Sequence, residues 1–167
     1  VETGQSPTVF RYIDWLITVP LQIVEFYLIL AAITIVPVAL FWRLLIYSLV
    51  MLVFGYLGEA GFMNVTLGFV IGMAGWLLIL YEIFAGEASK INADSANASC
   101  QKAFNALRLI VTIGWAIYPI GYVFGYLLES SNINAVNIIY NYADLINKTA
   151  FGLVIWAAAI KDSEASA

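Results

Sequence analysis

Apolar stretches long enough to cross a bilayer alternate with short polar breaks along the whole chain. Five runs, at about 7–31, 40–60, 65–85, 104–128 and 134–160, each reach the ~20 mostly apolar residues that a transmembrane helix needs. The breaks carry turn chemistry. Pro37 follows the first run, and Gly58-Glu59-Ala60-Gly61 closes the second. The polar stretch from Gly86 to Ser99 reads as a loop, and Glu129-Ser130-Ser131-Asn132 separates the last two runs. Gly68, Gly72 and Gly75 in the third run suit close helix packing. The pattern predicts an all-α membrane protein, with 1–167 forming one transmembrane domain of five helices and no internal repeat.

Composition agrees with that pattern. Hydrophobic residues make up 63% of the 167 and charged residues only 11%, against about a quarter charged in soluble domains. So few charges cannot cover a water-facing surface, which leaves lipid as the solvent for most of the chain. The net charge of −4 and the lack of a basic patch argue against nucleic acid as a partner. The chain has no histidine, which excludes His-based zinc sites and Ser-His-Asp triads. Cys100, the single cysteine, excludes an internal disulfide and shows no metal pattern; no metal site is expected. The opening Val1-Glu2-Thr3 carries neither an initiator methionine nor a secretory leader pattern, so the sequence is expected to be N-terminally incomplete.

Basic residues orient the spans. With five crossings, Arg43, Lys90, Lys102, Arg108 and Lys161 all fall on one side, while the other offers Glu2, Glu59 and Glu129 and no base. The positive-inside rule puts the C-terminus and the 86–103 loop in the cytoplasm. The N-terminus and the 59–64 and 129–133 loops then face outward.

Arg11, Lys148, Asp14, Glu25, Glu82 and Asp144 lie inside spans, Glu82 near its cytoplasmic end. Charges at bilayer depth are costly and usually mark a pathway or a ligand. Asp144 and Lys148 are four residues apart, hence on one helix face about 6 Å apart in rise. Lys148 is too deep to snorkel easily. It is either half of a structural ion pair with Asp144 or a desolvated amine suited to imine formation with an aldehyde, with Asp144 as counterion.

In the first span Arg11, Asp14, Thr18, Gln22 and Glu25 form a polar stripe at spacings of 3, 4, 4 and 3. Interhelical polar glue explains Thr18 and Gln22 well but the two carboxyls poorly. Asp14 and Glu25 are ~16 Å apart in rise, about half the hydrocarbon thickness, and so straddle a mid-depth lysine. Arg11, one turn outward, is expected to hold Asp14 ionised, and Glu25, with no base nearby in its helix, to rest protonated. An ionised acceptor outside and a neutral donor inside is the arrangement that passes a proton outward.

Trp15, Trp76, Trp115 and Tyr118 lie deep in three spans, whereas Trp and Tyr usually collect at interfaces. They read either as core packing or as walls for a flat apolar ligand. Pro119 is expected to kink the fourth span and free a backbone carbonyl, making a hinge.

The runs Arg11-Tyr-Ile-Asp-Trp-Leu-Ile-Thr-Val-Pro20, Gly114-Trp-Ala-Ile-Tyr-Pro119 and Asp144-Leu-Ile-Asn-Lys148 resemble the microbial rhodopsin family, most closely its proteorhodopsins. The likeness extends over the whole chain, from the family's third helix to its seventh. It implies a retinal-binding domain in a seven-helix bundle, with all-trans-retinal on Lys148 as a protonated Schiff base. Asp14 becomes the proton acceptor, Asp144 the second member of the counterion, Glu25 the cytoplasmic donor, and Arg11 the arginine below the counterion. The triplet Asp14, Thr18, Glu25 looks like that of the outward proton pumps; chloride pumps carry a neutral residue for the acceptor, and sodium pumps show Asn, Asp and Gln. Trp15, Trp76, Trp115, Tyr118 and Pro119 match pocket positions, with Met51 and Gly55 near the ionone end. Gln22 matches the colour-tuning site, where glutamine accompanies blue absorption.

The resemblance further implies a multi-pass protein of the bacterial inner membrane, with lipid, retinal and protons as partners and a homo-oligomer of five or six copies. The first two family helices are missing, and with them the histidine that pairs with the acceptor. A light-driven outward proton pump, not an enzyme, is the resulting expectation. A photosensor with the same pigment and a retinal-free ion transporter or channel are the alternatives.

Overall fold

A computed structural model describes residues 7–128 and 133–166. Helix α1 spans Thr8–Ala31, α2 Val38–Glu59 and α3 Val65–Phe84. Two shorter helices, α4 (Glu87–Ser95) and α5 (Ala98–Leu109), precede a π-helical turn at Ile110–Gly114. Next come α6 (Ile117–Tyr122), a second π-helical turn at Val123–Leu127, and the long α7 (Ile133–Ser166). Among the described residues, five helical stretches are long and apolar enough to cross a membrane.

The breaks follow local chemistry. Pro37 precedes α2, and Gly61, at φ +77°, makes the turn after it, a conformation glycine adopts without a Cβ penalty. The Asn64 side chain accepts from Leu67 N at 3.0 Å and starts α3. Glycines line the α2–α3 contact as their positions suggested. A Cβ on Gly68 would sit 2.8 Å from the Phe54 carbonyl oxygen, and one on Gly75 would sit 2.8 Å from Met51 N. The two backbones pack too closely for any larger residue.

The stretch from Gly86 to Ser99 corrects the sequence reading, which made it a loop. It contains α4 and the start of α5, so the fourth crossing begins at Ala98 rather than near 104. Polarity misled because a helix emerging from lipid into water loses its apolar face, not its helical backbone. Glu87 stands in the first turn of α4, where a carboxylate complements the helix dipole. The Asn97 side chain accepts from Cys100 N at 2.9 Å and caps α5. The proposed 129–133 connection lies almost wholly outside the described residues.

The packing is inside-out relative to a soluble protein. Phe10, Ile17, Leu21 and Leu28 of α1, and Tyr142, Leu145, Leu153 and Trp156 of α7, point outward. In lipid such faces need no cover. Buried between the helices is a continuous cluster that includes Ile23, Phe26, Leu44, Phe104, Leu107 and Phe151. Phe26 meets Phe104 edge-on, ring centroids 5.1 Å apart.

Candidate functional site

Polar bonds close the bundle at both ends. At one end Arg43 pairs with Glu82 at 3.4 Å and also with Glu87, tying α2 to α3 and α4. Glu82 accepts from Ala88 N at 3.1 Å as well. Its depth is thus a structural matter: it anchors a helix start.

At the other end Arg11 pairs with Glu59 at 3.1 Å and donates to Asn137 Oδ1 at 2.5 Å. Tyr12 donates to Glu59 at 3.0 Å. Two sequence expectations change here. Glu59 is not a solvated loop acid, because the last turn of α2 carries it inward, with its side chain 2% exposed. Arg11 turns to Glu59 and Asn137 rather than to Asp14. Pairing one turn along a helix is only one of the options open to a long side chain, and a buried acid on a neighbouring helix leaves Arg11 better desolvated and matched. Sequence reasoning missed Glu59 and Asn137; an acid flanked by Gly58 and Gly61 looks like any turn residue.

Between the two ends lies an apolar cavity, the kind of concave site that takes a small molecule. Trp15, Gln22, Met51, Gly55, Trp76, Trp115, Tyr118, Pro119, Asp144 and Lys148 all line it, so ten expected site residues from five elements converge. Asp14, Thr18, Arg11 and Glu25 stand outside this lining. Thr18 donates back to the Asp14 carbonyl at 3.0 Å, within α1. Glu25 is half-buried and lies further along α1.

Lys148 projects from α7 into this cavity. Its Nζ is 2.5 Å from Asp14 Oδ2 and 3.8 Å from Asp144 Oδ2. Asp144 is held from two other sides. Trp15 Nε1 donates to both of its oxygens, at 3.1 and 3.0 Å, and Tyr118 donates at 2.7 Å. Trp15 and Tyr118 meet edge-on at 5.1 Å. These aromatics therefore do more than wall the cavity: their polar edges fix a carboxylate beside the amine. The arrangement stabilises a positive charge on the Lys148 nitrogen and gives a proton leaving it an acceptor within direct reach.

Pro119 lies in the short helix α6, and the backbone irregularity of this crossing falls in the π-helical turns on either side of it. Trp115 N reaches back to Ile110 O at 3.1 Å, and Tyr118 N bonds Trp115 O at 3.1 Å. A side chain serves the carbonyl this leaves open, since Trp76 Nε1 donates to Val111 O at 3.1 Å, and Tyr140 donates to Tyr118 O at 2.9 Å.

Residues 1–162 match the family described as bacteriorhodopsin-like protein. The chain belongs to that family. It is 54% identical to the blue-light absorbing proteorhodopsin of Gamma-proteobacterium Hot 75m4, covering 98% of this chain and 65% of that relative. The green-light absorbing proteorhodopsin of Gamma-proteobacterium EBAC31A08 is also 54% identical, over 98% of this chain and 66% of its own length. This rhodopsin chain thus spans about two thirds of the curated relatives it matches. Among crystal structures, blue light-absorbing proteorhodopsin from Med12 is 57% identical, with TM-score 0.80 over 97% of this chain and 71% of that one. Exiguobacterium sibiricum rhodopsin is 35% identical, with TM-score 0.82 over 95% and 74%. Rhodopsins of this family carry retinal as chromophore. The cavity suits such a group: it is apolar, walled by aromatic rings, and has one amine flanked by two carboxylates.

Proposed function

We propose that the chain is the part of a light-driven outward proton pump corresponding to helices three to seven of a seven-helix rhodopsin, with retinal joined to Lys148. One observation carries the reading: a mid-span amine opens onto an apolar aromatic cavity and is paired at 2.5 Å with Asp14 and at 3.8 Å with Asp144.

The chromophore, when bound, supplies absorption of visible light and isomerisation about a double bond. The chain's residues do the rest. Lys148 Nζ holds a proton against two carboxylates. Asp14, the nearer, receives that proton. Asp144 is held in place beside the amine by the bonds that Trp15 and Tyr118 donate to it. Glu25, further along α1 on the opposite side of the lysine, returns a proton from the cytoplasmic end. Arg11 and Glu59 close the outward end with a buried pair. Movement about the loosened segment around Pro119 switches access, without which the same carboxyls would only exchange protons back and forth.

Gln22, against the cavity, supports blue absorption, since an amide beside the polyene stabilises ground and excited charge distributions unequally. Equal identity to blue and green relatives leaves Gln22 as the discriminating residue. The five bases on one side support a cytoplasmic C-terminus in a bacterial inner membrane, and the family likeness supports a homo-oligomer of five or six copies.

The test is to express the full-length protein in cells, supply retinal and illuminate. The medium acidifies and the cytoplasm becomes alkaline if the reading holds. A coloured protein with no pH change is a photosensor instead, and a colourless one with transport activity is a retinal-free transporter; either result rejects the pump.

A further inference from the structure

Asn147 stands beside Lys148 in sequence, lines the same cavity, is 8% exposed, and has no part in the proton path above. Its Nδ2 donates to the Gly114 carbonyl at 3.0 Å, across from α7 to the π-helical turn before Pro119. We propose that this bond makes Asn147 a positioning residue, a clamp between the lysine helix and the kinked segment whose release sets how fast that segment moves in the light cycle. The proposal rests on the pigment reading and names a device within it.

The backbone explains why the clamp is there. Proline has no N–H, so Pro119 cannot donate to Trp115 O, four residues back. Tyr118 N fills that position at 3.1 Å, which takes it away from its regular helical acceptor, Gly114 O. A carbonyl left open in the bundle interior is costly, and the Asn147 amide satisfies it.

The fit at Gly114 is tight and involves a single partner. A Cβ there would lie 2.2 Å from Asn147 Oδ1, 3.0 Å from its Cγ and 3.3 Å from its Nδ2. Glycine is required because the amide lies against the backbone. Trp115 and Tyr118, the next residues along, reach the cavity, and Tyr118 holds Asp144. Displacement of the segment relative to α7 must break the Asn147 bond, and return to the dark arrangement must remake it.

The experiment uses full-length protein with retinal, followed by flash photolysis and light-minus-dark infrared spectroscopy. Asn147→Leu keeps the volume and removes the donor. Recovery of the dark state should slow by about tenfold, the size expected for one buried hydrogen bond, and a side-chain amide carbonyl band present in the parent difference spectrum should vanish. Gly114→Ala should slow recovery as Asn147→Ala does, by pushing the amide away, and the two changes together should add nothing. The unfolding midpoint of the retinal-free protein should show the same non-additivity. Unchanged recovery, an unaltered infrared spectrum or additive effects in a coloured parent overturn the clamp and leave the pigment reading standing. A parent that forms no pigment overturns both.

Discussion

Arg11 and Glu59 form an ion pair at 3.1 Å with side chains only 7% and 2% exposed. Breaking a buried pair leaves one charge uncompensated, at about 3–5 kcal/mol. Arg11→Met should therefore destabilise the protein by that order, and Glu59→Gln should do so to a lesser degree because the amide can still accept from Tyr12. Joining Arg11→Met with Glu59→Leu should recover most of the loss, since well-packed apolar substitutes avoid the desolvation cost. Denaturation in detergent followed by circular dichroism measures all three.

Lys148→Ala should abolish the visible absorption band after incubation with retinal, while helix content is retained. Lys148→Arg should do the same despite keeping the charge, because a guanidinium does not condense with an aldehyde under these conditions. Absorption spectra of the purified proteins decide the matter.

The two carboxylates at Lys148 should differ in what they lose. Asp14→Asn removes the nearer partner and should abolish light-driven acidification while the pigment still forms. Asp144→Asn also disturbs the bonds from Trp15 and Tyr118, so thermal bleaching should accelerate along with the loss of transport. Proton flux and bleaching rate, measured side by side, separate the two.

Glu25→Gln should slow the last phase of the light cycle at neutral pH by roughly a hundredfold, the usual scale for a positioned proton donor. Flash photolysis across pH checks it: the slowed phase should become proportional to proton concentration, because protons must then come from bulk water.

Asn64→Ala removes the side-chain cap on α3 and should cost about 1 kcal/mol of stability. The absorption maximum should stay where it was, since the Asn64 side chain is not part of the cavity lining. A shift in the band would mean that the start of α3 bears on the chromophore site.

Much of the architecture was legible because lipid imposes strong constraints. A span must be apolar for its whole length, so five runs in the sequence became five crossings. A buried charge must have a reason, so Arg11, Asp14, Asp144 and Lys148 stood out. Legibility failed where polarity and helicity parted. Residues 87–95 look like a loop by composition and form a helix held by Glu87, Glu82 and Arg43. Glu59 looked like a turn acid because nothing in its neighbourhood announces a partner 48 positions away.

The amino-acid sequence by itself determined the fold class and the number of crossings, because hydrophobic length and helical periodicity are local properties of the chain. Only the tertiary structure decided who pairs with whom. Arg11 went to Glu59, Lys148 to Asp14 first and Asp144 second, and Asn147 to a carbonyl left open by Pro119. The physical reason is that long polar side chains and displaced backbone groups choose among several partners within reach, and that choice depends on distance and desolvation between helices far apart in sequence.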